Sequence, residues 1–228
     1  MFHIIPFIVL TAALLSLNNG SCPKYVALGD SLCVGLNAFW GCGYTNLYYR
    51  WLVNCKGLRG LNSCNLGVMG WTSSDLLNAV KYSCKYRNAI KEAAIITIDI
   101  GGNDIIQSKY TPEKLSDALN CYRENLNSAL FEIRCINKCA PLYIMDIYNP
   151  YPKCHPMHEL AEQWICKFNS VIWNTPVIPE YKISGIASVY SAFKGNELEY
   201  TCIRYNNIHP NTLGHRVIFD CFSSVYAG

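Results

Sequence analysis

The run AAIITID, Ala93 to Asp99, constrains this chain more than any other segment. It is apolar and β-branched along most of its length and breaks at Gly101-Gly102. A strand with one wet face alternates apolar and polar residues, whereas a run like this one belongs to a strand buried on both faces. Parallel sheets meet that requirement because their crossover helices cover both sides. The rest of the chain should therefore alternate between strands and helices, and it does. KYVALGD reads as a strand, and YTNLYYRWLVNC as a helix with Leu47, Trp51 and Leu52 on one face. LNSCNLG is a short strand, and SSDLLNAVKYSC a helix with Ser73 or Ser74 as its N-cap. The long helical pattern from Thr111 to Asn137 has Thr111 to cap it and Pro112 in its first turn. PLYIMDIYNPYP is a strand stopped by Pro150 and Pro152, MHELAEQWICKFNSVIW a helix, GIASVYSAF a weaker strand, and NTLGHRVIFDCFSSVYA a closing helix.

This order predicts an α/β domain over residues 22–228, with no linker or repeat dividing it. Hydrophobic residues at 51% and charged residues at 15% exclude a disordered chain. The net charge of +3 has no Lys/Arg cluster behind it, which argues against a nucleic-acid partner. Residues 1–21 read as a signal peptide. The apolar run Ile4–Leu17 is short for a membrane span, and small polar residues follow it. The expectation is a secreted protein, monomeric and without a membrane span in its mature form. Thirteen cysteines suit that compartment and imply several disulfides, with at least one thiol left over. No paired C-x-x-C knuckles occur, and CHPMH (Cys154, His155, His158) lacks a second half, so no metal or cofactor is expected.

In such sheets ligands bind beyond the carboxyl ends of the strands. Four strand ends there carry polar or small residues. Ser31 follows the first strand in GDS and reads either as a turn or cap residue or as a nucleophile at a helix N-terminus. Gly67 and Gly70 follow the second strand, in a simple turn or where backbone N–H groups approach a ligand. Asn103 follows the third, as a turn residue or an amide donor. His209, in YNNIHPN, lies before the last helix on the same edge as Ser31 and is the natural general base. His215, one turn further on, reads as a packing or capping residue.

GDSL at Gly29–Leu32, NLGVMG at Asn65–Gly70, GGND at Gly101–Asp104 and NNIHPN at Asn206–Asn211 occur in the order of the GDSL, or SGNH, hydrolases, and the chain resembles that family over nearly its whole mature length. DIYNPY after the fourth strand also resembles the secreted lipase-type members. The resemblance implies a flavodoxin-like, three-layer α/β/α fold with a parallel sheet of about five strands. It implies metal-independent ester hydrolysis, with Ser31 as nucleophile and His209 as base. The oxyanion hole would be the Ser31 N–H, the Gly70 N–H and the Asn103 side chain. One position departs from the family pattern: Asn206 stands where the family has Asp, three residues before the histidine. That leaves a Ser31–His209 dyad with Asn206 as candidate orienter, or a backbone carbonyl, or Glu197 or Glu199, in that role. It also leaves open a secreted binding protein on the same fold with weakened chemistry.

The expected substrate is a small-molecule or lipid ester, with lipid or short-acyl esters favoured over acetylated glycans. Trp40, Tyr44, Trp71, Tyr148 and Tyr151 lie near the site loops, either to line an acyl pocket, to stack on a sugar, or simply to pack.

Overall fold

The computed structural model describes residues 23–227; the expected leader, residues 1–21, lies outside them. Strands β1 (Lys24–Gly29), β2 (Asn62–Asn65), β3 (Ala93–Asp99), β4 (Leu142–Met145) and β5 (Ile183–Ala187) form one sheet in the order β2-β1-β3-β4-β5. Every pairing is parallel. This is the doubly wound flavodoxin-like order, whose winding reverses between β1 and β3 and opens a crevice there.

The strands alternate strictly between two cores. Val26, Leu28, Ile96, Ile98, Leu142 and Ile144 face one layer; Tyr25, Ala27, Ile95, Tyr143 and Met145 face the other. The first layer holds helices α3 (Ser73–Tyr82), α4 (Cys84–Lys91), α6 (Pro112–Ile136) and α7 (His158–Asn174). The second holds α2 (Tyr44–Asn54), α8 (Val189–Phe193) and α10 (Thr212–Ser224). Three short helices complete the described α-helices: α1 (Ser31–Val34), α5 (Gly102–Gln107) and α9 (Glu197–Tyr200). Thr97 is the one hydroxyl inside β3, and Tyr25 of β1 satisfies it at 2.8 Å.

Several local expectations shift. The buried stripe of α2 is Tyr44, Thr45, Tyr48 and Leu52, while Leu47 and Trp51 are only partly covered. Helix α3 is capped by Thr72 in a capping box with Asp75, not by Ser73 or Ser74. The segment read as GIASVYSAF splits into β5 and α8, because Asp146 accepts the Tyr190 N–H at 2.7 Å and turns the chain into a helix. The described cysteines are all free thiols. Cys33 donates its thiol to the Asn65 amide oxygen at 3.1 Å. His155 accepts the Met157 N–H, and His158 is paired through Nδ1 with the Tyr151 carbonyl.

Candidate active site

β1 ends at Gly29 with the backbone pressed against β3. A Cβ on Gly29 would sit 2.1 Å from the Asp99 carboxylate, and φ there is 158°, so only glycine fits the approach. The chain then turns through Asp30, whose carboxylate caps α1 by accepting the Leu32 N–H at 3.0 Å. Ser31 is the first residue of that helix. Its hydroxyl lies 2.9 Å from His209 Nε2.

His209 arrives from 178 residues away on a braced loop. Its carbonyl accepts the Cys202 N–H at 2.9 Å, and the Tyr148 hydroxyl donates to the neighbouring Ile208 carbonyl at 2.9 Å. The ring is oriented by Asn207. Asn207 Oδ1 lies 2.8 Å from His209 Nδ1 and also accepts the His209 backbone N–H at 3.0 Å. An atom that accepts a backbone N–H must be the amide oxygen, so Nδ1 carries its proton and Nε2 is left to accept from Ser31. Asn206, the sequence candidate for orienter, is not at the ring. It is exposed and left-handed (φ 55°), closing the turn after Tyr205. The Asx turn of Asn207 spans two residues, which is the reach its own side chain requires. Nor do the two glutamates take the role: buried Glu197 accepts the Gly195 N–H, and Glu199 is exposed. His215 is fully buried between the Leu36 carbonyl and the Tyr44 N–H, as a packing residue.

The two remaining sequence candidates meet at the crevice. Asn103 Nδ2 donates to Asp30 Oδ2 at 3.2 Å and to the Trp71 carbonyl at 2.9 Å, joining the β3 end to the Gly70 loop. Gly70 is exposed, with φ 79°, and its carbonyl accepts from Gln107 at 3.2 Å. Buried Asp104 anchors the same loop by accepting both the N–H and the hydroxyl of Ser73. Beside Ser31 and His209 opens an apolar cavity lined by Ile100, Ile105, Ile147, Tyr148, Pro150 and Ile165.

Sequence reading missed Asp99 and offered Tyr44 only as an aromatic near the site loops. Asp99 Oδ1 accepts the Asp30 N–H at 2.9 Å, and the Tyr44 hydroxyl donates to Oδ2. The only sequence signal of Asp99 was an acid ending an apolar strand. Burial raises both carboxyls, Asp30 to about 6 and Asp99 well above the carboxylate range, with their mutual repulsion adding to the Asp99 shift. A raised folded-state pKa means the native state holds protons that the unfolded chain has released. Stability is then full below the ordinary carboxylate range and is lost as pH rises through 6; the Asp30 shift alone amounts to about 3 kcal/mol. Asp99→Asn keeps an acceptor for the Asp30 N–H and removes one acid. Urea unfolding at pH 4.5 and pH 8 is expected to show a smaller difference in this variant than in wild type, and an unchanged difference would refute the pairing. Burial also lowers His209 below its ordinary value, keeping it neutral at physiological pH.

A family model described as GDSL-like lipase/acylhydrolase matches residues 27–217. The spore germination lipase LipC of Bacillus licheniformis is 31% identical over 212 residues, covering 86% of this chain and 93% of that protein. The lipase Lip_vut3 from a goat rumen metagenome superposes with a TM-score of 0.79 at 26% identity, over 90% of this chain and 98% of that one. Axe2, an acetylxylan esterase from Geobacillus stearothermophilus, shares the fold with a TM-score of 0.65 at 19% identity, over 92% and 96% of the two chains. With the matched region running from within β1 into the closing helix, the chain belongs to the GDSL-like lipase/acylhydrolase family.

Proposed function

We propose that this protein hydrolyses carboxylic esters with an apolar acyl group, through an acyl-enzyme on Ser31. The observation that carries the reading is the ordered chain Asn207 Oδ1, His209 Nδ1, His209 Nε2, Ser31 Oγ, with both links under 3 Å. His209 takes the Ser31 proton as the oxygen attacks the ester carbonyl. The oxyanion is met by the Ser31 N–H, the Gly70 N–H and the Asn103 amide, which gives up its 3.2 Å bond to Asp30. Each such donor is worth about 2.7–4 kcal/mol. His209 returns the proton to the leaving alcohol, and water then attacks the acyl-enzyme by the same route in reverse. Family membership and the lipase relatives support ester hydrolysis. The apolar cavity beside Ser31 supports an acyl chain over a sugar as the group held there. The leader and the cysteine count support secretion.

A fluorophosphonate probe is expected to label wild type and not Ser31→Ala. Rates on p-nitrophenyl esters are expected to rise from acetate to longer acyl chains. Absence of labelling would point instead to a binding protein on this fold, and a strict preference for acetate would remove the acyl-chain assignment. The pH profile follows from the site. The base works unprotonated, and burial lowers the pKa of His209, so the acid limb of kcat/KM should have its midpoint below pH 6.5. A midpoint above 7 would contradict the neutral amide at Nδ1.

A further inference from the structure

Loops at the carboxyl edge of the sheet carry large apolar side chains that the described chain leaves uncovered. Trp40 is 96% exposed, Tyr205 84% and Phe39 74%, and Val68, Met69 and Leu213 are exposed beside them. They come from three segments, 34–50, 66–72 and 202–213, which meet around the catalytic serine. The Phe39 N–H donates to Thr212 Oγ1 at 2.8 Å, joining the first segment to the third. The second rests on α1, since a Cβ on Gly67 would lie 2.6 Å from the Cys33 Cβ. The third carries His209 to Ser31. Single exposed apolar residues are ordinary, but six of them on three adjoining segments at one edge of the sheet mark an interaction surface.

Charge selects the partner. These three segments contain Arg50 and Arg204 and no Asp or Glu of their own; exposed Glu199 is bonded to them, its carbonyl accepting from Asn211 at 2.7 Å. Both arginines are exposed, and neither belongs to an ion pair among the described residues. Arg50 donates to the Gly41 carbonyl at 2.8 Å, which holds its guanidinium at the backbone one residue after Trp40. Aromatic side chains with adjacent cations in excess of acids suit the boundary of a negatively charged bilayer, where the rings sit at headgroup level and the cations meet phosphate.

We propose that this rim docks the protein on an anionic lipid surface, with Phe39 and Trp40 entering the headgroup layer and Arg50 and Arg204 against the phosphates. A lipid ester then passes from the surface into the cavity without crossing water. The role of the cavity rests on the hydrolase reading; the docking does not.

The test is flotation of the full chain carrying Ser31→Ala with phosphatidylcholine vesicles, with and without phosphatidylglycerol. The protein should float with the mixed vesicles and be released by high salt. The pair Phe39→Ser and Trp40→Ser should weaken binding about tenfold or more, from the apolar area lost. Tyr82→Ser, an aromatic equally exposed at the far end of α3, should leave it unchanged. Failure to float overturns the proposal. So does flotation that survives the double substitution, which would assign binding to the leader. Self-association abolished by the double substitution also overturns it, showing that the rim closes on a second copy. Because Ser31 is already replaced, loss of hydrolysis has no bearing on the outcome. A wild-type protein that cleaves soluble esters but never floats would sink the docking and leave the hydrolase reading standing.

Discussion

Ser31→Ala is expected to lower kcat on a soluble p-nitrophenyl ester by roughly 10⁵–10⁶-fold, the loss typical of removing a member of a serine–histidine pair. The fold should survive, because the hydroxyl's one side-chain partner is His209 and the residue sits on a turn fixed by Gly29, Asp30 and Asp99. His209→Ala should cost a similar factor, and the double variant should be no slower than either single one. In the proposed scheme the two residues perform one proton transfer, so their losses should not add. What survives is the contribution of the oxyanion donors and of substrate binding, ~10³–10⁴ over water. Additive losses would mean that the two residues act in separate steps, and the acyl-enzyme scheme would fail.

That scheme could be read from the sequence only in part, and the division follows physical range. The alternation of strands and helices was legible because period 2 and period 3.6 are local properties, and the AAIITID run announced the central strand by itself. Ser31, Asn103 and His209 were legible because strand ends in a parallel sheet are where polar residues gather. The short helices α4, α5 and α9 went unread; segments of four to eight residues are too brief to show a periodicity. Asp99, and the partnership of Tyr44 with it, went unread for a different reason. Asp99 acts through the backbone N–H of a residue 69 positions away, and no local pattern encodes that meeting. The carboxyl is paid back for its burial by Asp30 N–H and Tyr44, and the same contact dictates glycine at position 29.

The orienting residue shows how one backbone angle can move a role along the chain. Family spacing pointed to Asn206, but a left-handed residue there leaves Asn207 to make the Asx turn onto His209. Asn207→Asp is therefore expected to raise kcat by about 10–100-fold, since a charged hydrogen bond to the imidazolium is worth about 1.5–3 kcal/mol. The gain falls short of the ~10⁴ lost when a protease triad trades Asp for Asn, because that loss comes from the wrong tautomer. Here the amide oxygen is already held toward Nδ1 by the His209 backbone N–H, so the tautomer is correct from the start. A carboxylate would stabilise protonated His209 and oppose the lowering that burial imposes, moving the acid limb of kcat/KM to higher pH. Asn206→Asp places its charge on an exposed residue with no bond to the ring and should change kcat by less than about threefold, within what a screened surface charge achieves. Rate and pH profiles of the two variants side by side decide the matter. If Asn206→Asp accelerates the reaction and Asn207→Asp does not, the histidine is held from the family's usual position, and the Asx turn is not the working orienter.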